Sequence, residues 1–262
     1  MKRIILIGSG NVASHLGFAL KKSNYQITQV YSRELENAKK LAERLGADAT
    51  NKFQALTTAD LIIVSVTDAA IVKVLDELKD VPIVHTSGCI DLAIFGDKFE
   101  KFGVLYPVQT FNKNIELDFL ETPICIESNN TEFENELLYL ASCISTKVVS
   151  MNSSQRKQLH IAAVFASNFS NHMFTLADDV LKNAQLEFSL LLPLIQQTIK
   201  KLEDNKAKNV QTGPAKRKDM AVIQEHLNNI QDKDIRELYT KISSHIIKTH
   251  EKSYCIFQSY SL

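Results

Sequence analysis

An apolar strand that ends in glycine and passes at once into an amphipathic helix constrains this chain more than any other feature. Arg3-Ile4-Ile5-Leu6-Ile7 supplies the strand and Gly8-Ser9-Gly10-Asn11-Val12-Ala13 the turn, while Val12, Leu16, Ala19 and Leu20 mark the apolar face of the helix that follows. Strand, glycine turn and helix in that order point the free backbone N–H groups of a helix N-terminus, with their partial positive charge, at whatever lies over the turn. Gly8 permits the tight turn, Gly10 lets the backbone approach a pyrophosphate, and Ala13 is small enough to pack where helix meets strand. Gly8, Ser9, Gly10, Asn11 and Val12 are therefore the expected dinucleotide-binding residues of the turn. The bland alternative is a glycine-rich βα turn with no ligand.

The second strand, over 27–31, ends in Tyr31-Ser32-Arg33. About 20 residues past the glycines, an NAD site places an Asp or Glu on the ribose 2′-hydroxyl. No carboxylate stands at this tip. A guanidinium makes bidentate bonds to a phosphate and a serine hydroxyl adds another, so Ser32 and Arg33 are read as holding a 2′-phosphate, and the coenzyme is expected to be NADP(H) rather than NAD(H). The alternative for Arg33 is a solvated surface arginine. Glu34 and Glu36 come later, where the next helix should begin, and there they complement its dipole.

With 262 residues the chain has room for one large domain or two modest ones. A formal net charge of zero gives no basic field to hold nucleic acid or an anionic membrane. Glycines interrupt the apolar run after Lys2-Arg3 too soon for a signal peptide, and no apolar run approaches the roughly 20 residues that span a bilayer. Cys89, Cys125, Cys143 and Cys255 show no CxxC and no metal-ligand spacing, so they are read as reduced thiols, mostly buried, Cys89 included, in a cytoplasmic protein without a metal site.

Strand and helix patterns alternate up to about residue 150. Strands are expected over 4–7, 27–31, 61–66, 83–86, 104–106, 124–127 and 147–149, and helices over 12–22, 35–45, 69–78 and 132–143. Leu61-Ile62-Ile63-Val64 is apolar on both faces, as a central parallel strand should be. This is the rhythm of an α/β doubly wound sheet. From about 151 the strand signal stops. Asn152-Ser153-Ser154 offers an N-cap for a long helix over 155–184, apolar nearly all round at its middle. Further helices should begin near Ser189, at Asp219 and at Asp232 or Asp234. The expected organisation is a Rossmann-type dinucleotide domain over 1–150 and an all-α domain over 151–262 for substrate and dimerisation. A helix apolar all round must be covered by something, and a homodimer is the expectation.

Several local motifs resemble a bacterial family with a Rossmann-like N-terminal domain followed by a domain of unknown function 2520. They are the glycine turn, His85-Thr86-Ser87-Gly88, Tyr106-Pro107-Val108-Gln109-Thr110-Phe111, 160–168 (His-Ile-Ala-Ala-Val-Phe-Ala-Ser-Asn) and 212–219 (Thr-Gly-Pro-Ala-Lys-Arg-Lys-Asp). The family belongs to the group that contains pyrroline-5-carboxylate reductase, 6-phosphogluconate dehydrogenase and 3-hydroxyacid dehydrogenases. The chain departs from the family pattern twice, with Tyr106-Pro107 for His-Pro and Arg217-Lys218-Asp219 for Arg-Gly-Asp. The first departure argues against a catalytic role at position 106. What the resemblance implies is an NADP-dependent oxidoreductase or a close non-catalytic relative, with no substrate specified.

Ligands of an open α/β sheet sit at the C-terminal ends of its strands. Val66 and Thr67 should reach that edge and touch the cofactor, and the resemblance implies that His85 and Ser87 fall near the nicotinamide as candidate catalytic residues, His85 against the alternative of a hydrogen-bonded structural histidine. On the long helix, His160, Val164 and Asn168 recur at i, i+4 and i+8 and align polar groups along a gently drifting stripe. His160 is read as the proton donor and Asn168 as the substrate-orienting group, against the alternative of a satisfied internal network. Related dehydrogenases carry Lys and Asn on the equivalent helix; here Lys157 lies one turn before His160. Lys216 and Arg217 are read either as contacts for an anionic substrate or as a solvated basic loop. Two functions stay open: hydride transfer between NADP(H) and a small carbonyl, hydroxy-acid or imine substrate, or a catalytically silent NADP-binding sensor.

Overall fold

The computed structural model describes residues 3–112, 115 and 117–258, the last stretch, 252–258, by backbone alone. The chain divides into two compact units between Phe169 and Ser170.

The first unit is built on one eight-stranded sheet of order β3-β2-β1-β4-β5-β6-β7-β8. Its strands are β1 (Arg3–Ile7), β2 (Gln26–Tyr31), β3 (Asp48–Thr50), β4 (Leu61–Val64), β5 (Ile83–His85), β6 (Phe102–Pro107), β7 (Ile124–Ser128) and β8 (Val148–Ser150). Every pairing is parallel except β6 with β7. The C-terminal ends of β1, β2, β4, β5 and β6 therefore share one edge, and the strand order reverses between β1 and β4, where such sheets open a ligand crevice. Helices α1 (Asn11–Lys22), α2 (Leu35–Leu45), α3 (Asp68–Glu77) and α4 (Thr131–Ser142) cover the faces.

Alternation along β1 places the core. Ile4 and Leu6 pack among Leu16 and Leu20 of α1 and Leu41 of α2, while Ile5 and Ile7 pack among Ile71, Val74 and Leu75 of α3. Each such fully buried aliphatic side chain contributes about 1.5–3 kcal/mol relative to exposure. The three-residue edge strand β3 is not among the strands expected from sequence, because so short a run carries no readable period.

Helix α5 (Ser153–Ala163) begins where the Asn152 cap predicts. The Asn152 side chain accepts from the Gln155 backbone N–H, and the Gln155 side chain accepts from the Asn152 N–H. A π-helical segment, Val164–Phe169, follows and ends the first unit. That unit thus extends past residue 150, because Ser153 and Arg156 of α5 are bonded to β7 and to the turn after β5.

The second unit contains α6 (Ser170–Asn183), α7 (Leu192–Asp204), α8 (Ala207–Val210), α9 (Pro214–Arg217), α10 (Met220–Asn229) and α11 (Lys233–Gln258). Pro193 sits in the first turn of α7, where its missing N–H costs nothing. Asp219 caps α10 and Asp232 accepts from the Ile235 N–H at the start of α11. Lys218 adopts φ 58° and ψ 35°, a left-handed conformation that favours glycine, which accounts for the Gly that the family pattern carries there. Among the described residues of this unit only Ala215 and Ile223 are buried apolar side chains. The expectation that the 155–184 helix is buried on most sides fails for the isolated chain: Ile161, Phe165, Phe169 and Val180 are exposed. No helix among the described residues is long and apolar enough to cross a membrane.

Candidate active site

The glycine turn is shaped by the strand beside it. Gly8 has φ +123°, and a Cβ there would run into the carbonyl of Ser65 at the end of β4. Its N–H donates to the Tyr31 carbonyl at 2.8 Å, which closes the turn against β2. A Cβ on Gly10, by contrast, would meet nothing within 4 Å. Gly10 is also the N-cap of α1 and supplies no side-chain cap, and the first turn carries no acidic residue. No side chain of the cap or of the first turn offsets the partial positive charge of the α1 N-terminus, which fits a pyrophosphate.

Ser9 Oγ donates to Ser32 Oγ at 3.1 Å and ties the turn to the tip of β2, beside exposed Arg33. Glu34 is the N-cap residue of α2, and the Glu36 carboxylate is taken up by Lys39 at 2.7 Å. Neither carboxylate therefore takes the place an NAD site reserves for one. Val66 lies against Gly8, and exposed Thr67 precedes α3 without capping it. The Asn11 side chain donates to the Phe111 carbonyl at 2.9 Å, so it tethers the loop after β6 to the turn.

One polar pair lies beyond the ends of β5 and β6. His160 on α5 is half-buried, and its Nδ1 is 2.9 Å from the hydroxyl of Tyr106 on β6, the rings meeting edge to face. Burial pushes the Tyr106 phenol up to about 12, so it stays protonated. Both rings close over Gly88, where a Cβ would lie 2.6 Å from His160 Nδ1 and 2.8 Å from the Tyr106 ring. Glycine is required there by space alone. The side chain at position 106 is nevertheless the hydrogen-bond partner of the helix histidine. Sequence reasoning missed this because the pairing joins residues 54 positions apart.

The pair is held by a buried ionic network. Arg156, one turn before His160 and fully buried, donates to Glu127 on β7, to Ser153 Oγ (both 2.9 Å) and to the carbonyl of Ser87 at 3.0 Å. Ser153 Oγ in turn accepts from the Leu92 N–H at 3.0 Å. Arg156 therefore pins α5 to the turn that carries Gly88.

His85 requires a correction. It ends β5 as expected but is wholly buried, its ring stacked on Phe95 at 5.5 Å, and its Nδ1 accepts from the Ser87 N–H. Burial first, then the Arg156 charge, pulls its pKa down to about 3, so it is neutral and shapes the turn rather than donating a proton to the cleft. Ser87 Oγ accepts from the N–H groups of Cys89 and Ile90, a second turn-holding role. Cys89 is exposed rather than buried, Cys125 is buried and Cys143 half-buried; the side chain of Cys255 lies outside the described residues. Lys157 is engaged by Asp91 at 2.8 Å.

Asn168 is exposed within the π segment, while its neighbour Ser167 shares a 2.7 Å hydrogen bond with Thr110 in the loop after β6. Winding through i→i+5 bonds turns less per residue than an α-helix, which lessens the drift of Asn168 from the His160 face. Lys216 and Arg217 are exposed on α9 in the second unit. No cluster of metal-ligating side chains occurs among the described residues.

A parallel sheet with a phosphate-ready glycine turn at its switch point, and a polar pair on the same edge, defines a dinucleotide-dependent oxidoreductase fold. Residues 3–93 match the coenzyme F420-dependent NADP oxidoreductase family and residues 122–246 the domain of unknown function 2520. A candidate NADP oxidoreductase from Bacteroides fragilis is 40% identical, with 94% of this chain and 98% of that one covered and a TM-score of 0.90. The chain belongs to this family of NADP oxidoreductases, which joins those two domains. Similar folds at low identity include pyrroline-5-carboxylate reductase of Coxiella burnetii (17% identity, TM-score 0.56, 95% and 97% covered). Another is the reductive aminase of Aspergillus terreus in complex with NADPH and ethyl levulinate (12%, 0.72, 95% and 94%). No curated protein matches by sequence.

Proposed function

We propose that this NADP oxidoreductase moves a hydride between NADP(H) and a small carbonyl, hydroxy-acid or imine substrate, with His160 as the proton-handling group. The observation that carries the reading is the Tyr106–His160 pair over Gly88, beyond the ends of β5 and β6 and on the sheet edge that also bears the Gly8–Val12 turn. When bound, NADPH supplies the hydride. The chain's own work is to hold pyrophosphate at the α1 N-terminus, to hold the 2′-phosphate with Ser32 and Arg33, and to hold a proton at His160. Asn168 orients the substrate in this reading.

The test is NADPH oxidation across 2-oxo acids, 3-oxo acids and cyclic imines. Turnover of one class supports the proposal; tight NADPH binding with no turnover across the panel, unaltered by loss of His160, turns the reading to a sensor. For the coenzyme contacts, Arg33→Ala is expected to weaken NADPH binding about 10- to 100-fold, the worth of charge-assisted phosphate bonds, and to leave NADH binding nearly unchanged. Titration calorimetry with both coenzymes measures this, and an equal loss for the two would remove Arg33 from the 2′-phosphate.

A homodimer is supported by the second unit taken alone, where Leu190, Leu194 and Ile199 are each about 60% exposed beside so few buried apolar side chains. Exposed apolar side chains of this size favour burial against a second copy of the chain. Light scattering at micromolar concentration should give twice the chain's mass. Thiols left unpaired at Cys89, Cys125 and Cys143 suit the cytoplasm.

A further inference from the structure

We infer that Tyr106 locks His160 as an Nε2–H hydrogen-bond donor, and that the site therefore takes a substrate whose reacting heteroatom has a lone pair to accept that proton, a carbonyl compound foremost, rather than an iminium ion. The inference rests on the hydride-transfer reading above for its substrate class, but not for its tautomer.

The argument begins with the phenol. Tyr106 is buried, and among the described residues its hydroxyl has one hydrogen-bond partner, His160 Nδ1 at 2.9 Å, to which we assign the phenol proton. Nδ1 carries no N–H if it is to accept, so neutral His160 carries its proton on Nε2. Nε2 has no hydrogen-bond partner among the described residues, although the ring is only half-buried. The freedom of the ring to turn over is also restricted. Gly88 backs directly onto Nδ1 and the Tyr106 ring, and Arg156 fixes both the Gly88 turn and the helix from which His160 projects.

An Nε2–H donor needs a lone pair opposite it. A carbonyl oxygen has two, whereas an iminium N–H has none and meets the donor with like polarity. The proton inventory points the same way. As the carbonyl carbon receives a hydride from NADPH, the C=O π pair passes to oxygen and the oxygen takes the Nε2 proton. Nδ1 goes on accepting from the Tyr106 phenol, which keeps its proton, and water returns a proton to Nε2. Reduction of an iminium needs no proton at all and leaves this relay idle. The Tyr106 hydroxyl meets His160 and no other described residue by a hydrogen bond, so it is a positioning residue that acts through His160.

Nitrogen-15 NMR of His160 in the full-length protein without coenzyme reads the tautomer directly. The wild type is expected to show a single Nε2–H form, and Tyr106→Phe, which keeps the ring that packs over Gly88, a mixture of both forms. A predominantly Nδ1–H wild type, or a Tyr106→Phe variant with the wild-type spectrum, overturns the proposal and leaves the reductase reading untouched. The wild-type measurement stands even if the variant fails to fold. In turnover, ketone or 2-oxo acid substrates should be reduced, and a cyclic imine held as its iminium should not; Tyr106→Phe should lower carbonyl turnover about 10- to 100-fold with NADPH affinity unchanged. Faster reduction of the iminium overturns the substrate class inferred here. No turnover of either class overturns it together with the reductase reading.

Discussion

Exchange of His160 for alanine is expected to lower NADPH-dependent turnover roughly 10²–10⁴-fold, the usual range for a general acid, while NADPH affinity stays where it was. The coenzyme contacts expected of the chain lie on the glycine turn and the β2 tip, and His160 belongs to neither. It stands on α5 beyond β5 and β6, its Nδ1 given to Tyr106. The effect should therefore fall on kcat, with little change in the affinity for coenzyme. His160→Gln is the informative companion, because it keeps a donor near the same place while removing the ring that relays a proton. Stopped-flow measurement of coenzyme oxidation separates hydride transfer from product release. A His160→Ala enzyme within threefold of wild type, on the order of half a kcal/mol, would remove the residue from the chemistry.

Glu127→Ala is expected to destabilise the first unit by about 3–5 kcal/mol, the cost of leaving a buried charge without its partner. The Arg156 side chain is 0% exposed and that of Glu127 12%, so water replaces little of what is lost. The carboxylate also accepts from the backbone N–H and hydroxyl of Ser153 at the first turn of α5. The transition midpoint should drop by roughly 10 °C for a unit of this size. Arg156→Met in the Glu127→Ala background should recover part of that loss, since an apolar pair avoids the desolvation penalty that the lone guanidinium suffers. Denaturant unfolding of the two single variants and the double closes the cycle. A Glu127→Ala protein as stable as wild type would mean that the guanidinium finds other acceptors. The same variants should also loosen the Ser87–Gly88 turn, since Arg156 is what ties that turn to α5.

The sheet was legible because its signal is local. Apolar runs of four to six residues mark the strands, and glycine at the end of β1 marks the turn; both are visible without knowing what lies across the sheet. The direction of β7 was not legible, because antiparallel pairing with β6 depends on how the chain returns between residues 108 and 123. His85 shows a different limit. Sequence places a histidine at a strand end, but whether the ring points to the cleft or into the aromatic cluster around Phe95 is decided by strand alternation and burial. Tyr106 shows the converse. A departure from a family pattern argued against a catalytic role at position 106, and it gave no hint that the Tyr106 hydroxyl meets His160. The Ser167–Thr110 bond was not legible either, because it joins residues 57 positions apart through a π-helical segment that no local pattern announces.

The antiparallel edge of the sheet bears on how such a chain was assembled in evolution. The second family domain starts at residue 122, ahead of β7, and runs to 246, so it carries the last two strands of the sheet as well as the helices. Those two strands pair with each other, and β7 joins the rest of the sheet through β6, which lies outside that domain. The 2520 module is thus not a freestanding cassette that can be moved between proteins at will. It is inherited with a sheet that offers β6 as an open border, and with a turn after β5 that accepts the Arg156 guanidinium. Any recombination that preserves the fold has to carry both sides of that border together.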